Sequence, residues 1–249
     1  MKKLELLTVG CSFTADCGFT DENRKKYHWP ELFAKNFNYN LNNHAIGGMS
    51  NEEIFYRTIH AITKNDYDLV IVMWSSLHRK WLYFNENNVD DFVSANFGSN
   101  NNFAVQEFAK VYYAYFSNHY IEIKKWLLSC IALQEILNSK KIKWRFARGF
   151  NNHIDEFSNI NYKNNAWSGN TTPIKRILDW ENRPDEYLHE KILDIQYLIK
   201  RLQKDNWINL YTSPFNQLST DVADDNQHPG PEANKIFLQD LIDSFEKLQ

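Results

Sequence analysis

LLTVGCSFTADCG, residues 6–18, carries an apolar run straight into a small, hydroxyl-rich turn. Two readings suit this stretch by itself. In one, Gly10, Ser12 and Thr14 merely turn the chain and cap a following helix, work for which Ser and Thr are favoured. In the other, a first buried strand delivers the Ser12 hydroxyl to the point where the strand ends. The choice between them depends on what the rest of the chain brings to the same place.

Outward from this stretch the pattern alternates. Strand-like runs occupy residues 3–9, 68–74 (DLVIVMW) and 142–147 (IKWRFA), with a weaker one at 207–212 (WINLYT) and a fifth, short one around Tyr39 to Asn43. They are short, rich in Val, Ile, Leu and aromatic residues, and separated by longer helical segments. That is the pattern of a parallel sheet covered on both faces. WPELFAKNF places Pro30 in a first helical turn, and SNEEIFYRTIHAITK opens on Ser50 or Asn51 as a cap, followed by acidic residues. From Val105 to Ser139 apolar residues recur at helical spacing, as one long helix or two meeting near Ser117 to His119. In GPEANKIFLQDLIDSFEKL, Ala233, Phe237, Leu241 and Phe245 recur every four residues, the stripe of a packed terminal helix. Residues 85–104 and 149–182 break the alternation and read as insertions at the rim of a site, where long irregular segments often serve as covers.

The 249 residues suit one domain, residues 1–249, carrying those insertions, and no Pro/Gly/Ser-rich linker divides them. With 43% hydrophobic and 15% aromatic residues the chain can bury a sizeable core, unlike disordered sequences. Lys and Arg number 28 against 31 Asp and Glu, a net charge of −3, which argues against a broad footprint for nucleic acid or anionic membrane. The three cysteines, Cys11, Cys17 and Cys130, form no CxxC pair or metal-ligand pattern, so a reducing, cytoplasmic setting is the default. MKKLELLTVGC has basic residues before an apolar stretch, but the run is short and broken by Glu5, so a buried strand is expected rather than a signal. No run of about 18 apolar residues is present to span a membrane. The chain has no GxxxxGK[ST] or GxGxxG loop, and no cluster suggests a metal.

The second informative stretch is ADDNQHPGPEAN, residues 223–234, just before the terminal helix. Asp225 lies three residues before His228, close enough to accept a hydrogen bond from the imidazole and hold its tautomer. By itself a His before Pro-Gly in a polar loop is also an ordinary surface residue. In a parallel sheet, however, a serine after the first strand and a DxxH before the last helix converge at the carboxyl ends of the strands, where ligands gather.

That order, nucleophile first and DxxH near the C-terminus, resembles the SGNH/GDSL hydrolase family across nearly the whole chain. The first family block looks like Gly10-Cys11-Ser12, with Ser12 as nucleophile and Cys11 where the family usually has Asp. The second resembles NHAIGGMSN, with Asn43 and Gly48 matching the family's Asn and Gly. In the third the family has Gly-x-Asn-Asp, whereas this chain has Trp74-Ser75-Ser76-Leu77, so Ser76 takes the Asn position and offers a shorter, less directional hydroxyl donor. The resemblance implies a three-layer α/β/α sandwich, flavodoxin-like, with a mainly parallel five-stranded sheet. It also implies an ester hydrolase requiring no cofactor and acting on an acyl ester such as an O-acylated carbohydrate. Ser12 would attack, His228 would move the proton and Asp225 would orient the imidazole. The Ser12 and Gly48 backbone amides, with Ser76, would hold the oxyanion.

Beside the third block, His78 and Arg79 are candidate substrate-binding residues. The planar fork of Arg79 suits a carboxylate or phosphate, or partial replacement of the missing donor, while a solvated polar turn is the plain alternative. Cys11 is a second candidate nucleophile, but as a continuation of the strand it points away from Ser12, into the protein. Trp29, Trp81 and Trp167 suit packing as well as sugar stacking. A rival reading is a noncatalytic SGNH-like binding or assembly module, such as a component of a phage particle, since fold alone does not decide function.

Overall fold

Four strands form one parallel sheet in a computed structural model of the chain: β1 (Leu4–Gly10), β2 (Tyr39–Asn43), β3 (Leu69–Trp74) and β6 (Lys143–Arg148), in the order β2-β1-β3-β6. The structure describes residues 3–15, 18–83, 92–95, 107–108, 110–112, 115, 118–158, 161–163, 166–168 and 185–246. In β3 all six residues, LVIVMW, are buried, as expected of a central parallel strand with both faces covered. Its register pairs Gly10 with Met73 on one side and Trp74 with Arg148 on the other.

Helices α1 (Asp21–Tyr27), α2 (Trp29–Asn36) and α7 (Pro231–Glu246) pack together, while α3 (Asn51–Lys64), α4 (His119–Ser139) and α6 (Asp185–Lys200) form a second group. Adjacent residues of β6 separate the two layers, because successive strand side chains point to opposite faces. Arg145 donates to Ser244 of α7, whereas the Phe146 ring meets Trp207, whose ring meets Trp126 of α4. The stripe Ala233, Phe237, Leu241 and Phe245 is buried, with Phe237 against Trp29 and Phe245 against Phe33 of α2. Ser50 caps α3 by accepting from the Glu53 amide at 3.1 Å, and Asn118 caps α4 by accepting from Ile121 at 3.2 Å. Of the two arrangements open for residues 105–139, the break near Ser117 to His119 is therefore the one found.

The sheet differs from expectation by one strand. Residues 207–212 make a single parallel bridge, Phe146 to Trp207, with the Ile208 amide donating to Phe146 O at 2.9 Å. Beyond it the Asn209 side chain takes over both ladder positions of Arg148, accepting from its N–H at 2.7 Å and donating to its carbonyl at 3.0 Å. A side chain thus substitutes for the backbone that would have continued a fifth strand.

The two segments read as insertions contain short secondary structure. β4 (Lys80–Tyr83) pairs antiparallel with β5 (Phe92–Ala95), α5 (Ile154–Ser158) follows β6, and β7 (Asn161–Lys163) pairs with β8 (Ala166–Ser168). The remainder of 85–104, most of 159–182, and Cys17 lie outside the described residues. Among the described residues no helix is long and apolar enough to cross a membrane.

The strand order places a switch point between β1 and β3. From β1 the chain crosses over by α1 and α2 to β2, then returns by α3 on the opposite face to β3. In open α/β sheets the crevice at the carboxyl ends of such a strand pair is where ligands bind. Ser12 follows β1, and Ser75 and Ser76 follow β3.

Candidate active site

Ser12 lies in a turn that begins as β1 ends, where the amides of Thr14 and Ala15 both donate to Cys11 O at 2.9 Å. Three side chains from two other segments fix this turn by its carbonyls. Trp29 Nε1 donates to Phe13 O at 3.1 Å, while His28 Nε2 and Asn43 Nδ2 bond to Thr14 O at 3.0 and 2.7 Å. Gly10 is required by close approach, since a Cβ there would sit 2.3 Å from Thr14 Oγ1 and 2.8 Å from Thr14 Cβ. Cys11 is fully buried and Ser12 keeps 5% of its surface exposed, so access favours the serine over the neighbouring thiol. Trp29 is also fully buried, which assigns it to packing and to holding this turn.

The Asp225–His228 loop comes to the same end of the sheet. His228 Nδ1 and Asp225 Oδ2 are 2.5 Å apart, and Asp225 Oδ1 accepts from the Gln227 and His228 amides at 3.0 and 3.1 Å. Burial pushes the Asp225 carboxyl up, but the Gln227 amide, the His228 imidazole and the His228 amide together bring it down to about 2. It is therefore an ionised acceptor at any ordinary pH, and its partner nitrogen is Nδ1, leaving Nε2 turned away from the carboxylate.

Several contacts tie this loop to the Ser12 turn. The His228 ring presents edge-to-face to Phe13, centroids 6.1 Å apart. A Cβ on Gly18 would meet His228 Cβ at 3.0 Å and Asp225 Oδ1 at 3.1 Å, and its φ of +93° suits glycine. Asp224 accepts from the Thr20 amide and from Asn23 Nδ2, both at 2.8 Å, fastening the loop to α1. Asp221 caps α7 by accepting from the Glu232 amide at 2.7 Å. Ser12 and His228 are brought to one end of the sheet and are not hydrogen-bonded to each other.

The expected oxyanion donors flank this turn. The segment after β2 continues along β1, with His44 N donating to Thr8 O at 2.8 Å and Ile46 N to Gly10 O at 3.3 Å. This brings Gly48, at φ +84°, to the same end of the sheet. On the other side Asn51 accepts from Ser75 N at 2.7 Å and donates to Ser75 O at 3.2 Å, pinning the third-block turn. Ser76 Oγ accepts from the His78 amide at 3.3 Å, which leaves its own proton to donate. Arg79 Nη1 donates to Ser75 Oγ at 2.9 Å, and its guanidinium lies 4.9 Å above Phe150, which stacks on Phe13 at 4.7 Å. His78 meets His119 edge-to-face at 5.0 Å. Of Trp81 and Trp167 only their places in β4 and β8 are described.

Sequence reasoning missed two supports. Asn51 was a candidate cap, yet Ser50 does that work and Asn51 holds Ser75; the signal was two cap-capable residues where a helix needs one. Phe13, directly after the serine, anchors the stack that joins Arg79 to His228.

No family model matches the chain, and no curated protein does. Among solved structures, the chain is similar to the crystal structure of TesA at 11% identity and TM-score 0.51, over 98% of this chain and 99% of that one. A psychrotrophic esterase EstA from Pseudoalteromonas sp. matches at 12% identity and TM-score 0.47, over 99% and 98% of the two chains. An acetyl xylan esterase, AlAXEase, matches at 13% identity and TM-score 0.46, over 97% and 99%. At these identities the likeness is one of fold: the chain shares the α/β architecture of the TesA structure, with four strands in its main sheet.

Proposed function

We propose that the chain is a serine ester hydrolase of the SGNH/GDSL type. Ser12 Oγ attacks the acyl carbon, and His228 Nε2 takes its proton and returns it to the departing alkoxide. Asp225 holds Nδ1–H and stabilises the imidazolium. The tetrahedral oxyanion is received by the Ser12 and Gly48 amides with Ser76 Oγ as third donor. Water, activated by the same imidazole, then releases the acyl group from Ser12.

The observation that carries this reading is the Asp225–His228 pair, bonded at 2.5 Å and packed through Phe13 onto the turn that holds Ser12. The substrate class follows from the family resemblance: an acyl ester, with O-acylated carbohydrate as the specific proposal. The test is hydrolysis of short-chain aryl esters and an acetylated-glycan panel. Turnover should fall on the order of 10⁴-fold or more in Ser12→Ala and His228→Ala.

A noncatalytic binding or assembly module is the second reading, and Ser76 in the third block favours it. Loss of one oxyanion donor commonly costs about 100- to 1000-fold in rate. A folded protein without Ser12-dependent turnover of any ester in the panel supports this second reading.

A further inference from the structure

We propose that Arg79, with His78 beside it, forms a subsite for a carboxylate carried by the ester substrate close to its acyl group, as on an O-acylated acidic sugar. The inference deepens the ester-hydrolase reading and rests on it for the position of the ester.

The argument begins with where Arg79 is held. Gly10 pairs with Met73 at the end of the β1–β3 ladder, so Ser75 comes two residues after the point where β3 meets the start of the Ser12 turn. Arg79 Nη1 is anchored on Ser75 Oγ, and the guanidinium plane rests on Phe150, two ring contacts from His228. One of its five N–H donors is thereby used, and stacking orients the rest as a rigid fork.

The carboxylates nearby are already committed. Glu122 pairs with Lys80 and accepts from Tyr112 Oη, and Glu52 lies 3.7 Å from Lys80. Glu156 is 3.1 Å from His153 Nδ1, and Asp155 is 3.5 Å from Arg148 Nη2. Among the described residues none pairs with Arg79. The chain carries a net charge of −3, yet His78, next to Arg79 in the chain, has His119 against its ring and His153 close by. Burial, then His119, His153 and Lys80, hold His78 below the usual imidazole value, with Glu122 acting the other way. A half-buried guanidinium fork with no carboxylate partner among the described residues matches a planar carboxylate through two parallel hydrogen bonds.

The test uses 3-acetoxybenzoate against its neutral amide, 3-acetoxybenzamide. Wild type should prefer the carboxylate by about tenfold or more in kcat/KM, the scale of a charge-assisted hydrogen bond. The preference should lie mainly in KM, weaken at high salt, shrink to about twofold or less in Arg79→Gln and be partly kept in Arg79→Lys. Direct binding of both compounds to Ser12→Ala should show the same preference in Kd, again lost with Arg79→Gln. The inference is overturned if the ratio is unchanged in a folded Arg79→Gln, or if both esters lose kcat equally, which would put Arg79 at the developing oxyanion. Salt-sensitive, Arg79-dependent binding without Ser12-dependent turnover would keep the subsite and remove the hydrolase reading.

Discussion

Replacing Gly10 by alanine tests how the Ser12 turn is built. The new Cβ would lie 2.3 Å from Thr14 Oγ1, 2.8 Å from Thr14 Cβ and 3.0 Å from Met73 O. Rotating Thr14 about χ1 relieves only the first contact. The second has to open from 2.8 Å toward the 3.4 Å of ordinary contact by moving backbone. That backbone carries the carbonyl bonded by His28 and Asn43. Overpacking of this kind costs about 1–3 kcal/mol, and each weakened hydrogen bond about 0.5–1.5 kcal/mol. The stiffer unfolded chain returns about 0.4–1 kcal/mol. We expect a net loss of about 2–4 kcal/mol, a fall in Tm of roughly 5–12 °C for a chain of this length. Because Ser12 lies inside the turn, a displacement on the order of 1 Å should also lower kcat about 100-fold. Thermal melts and ester hydrolysis measure both. Adding Thr14→Gly, which removes the clashing Cβ, should make the double mutant more stable than the two single losses summed. A Gly10→Ala protein within about 0.5 kcal/mol of wild type and with full turnover would refute the reasoning.

Four further outcomes follow from the site. Asp225→Asn should cut kcat on the order of 10⁴-fold with little change in KM, because it removes the acceptor that sets the imidazole tautomer. The Asp225 carboxyl is depressed from 3.8 to about 2, so its contribution to stability is present above pH 4 and is lost as pH falls through 2. The Tm gap between wild type and Asp225→Asn should therefore narrow over that window. Ser76→Ala should lower kcat more than it changes KM, and Ser76→Asn should preserve or raise kcat. Asp224→Ala, which frees the loop from Thr20 and Asn23, should lower kcat with little change in Tm, since its bonds are exposed.

Much of this arrangement was legible where short-range physics decides. Continuous apolar runs specified β1 and β3, Pro30 and Ser50 marked helix starts, and the four-residue stripe from Ala233 to Phe245 specified α7. The order of Ser12, Gly48 and the Asp225–His228 pair was legible as a motif. What was not legible depends on partners far apart in the chain. Nothing near residue 209 announces that an asparagine side chain will end the sheet by satisfying Arg148. Similarly, the holding of Phe13 O by Trp29 and of Ser75 by Asn51 emerges only when helices from different layers meet at one end of the sheet. Arg79 read equally as a solvated turn residue until its stacking on Phe150 was seen.

The central claim is that Ser12 is a nucleophile activated by His228. Its most direct measurement is labelling of the folded protein with a fluorophosphonate, followed by mass mapping of the adduct. The account predicts one adduct on the Ser12 peptide in wild type and in Cys11→Ala, slowed in His228→Ala and absent in Ser12→Ala. Labelling that survives Ser12→Ala, or an adduct on Cys11 that disappears in Cys11→Ala, would contradict it.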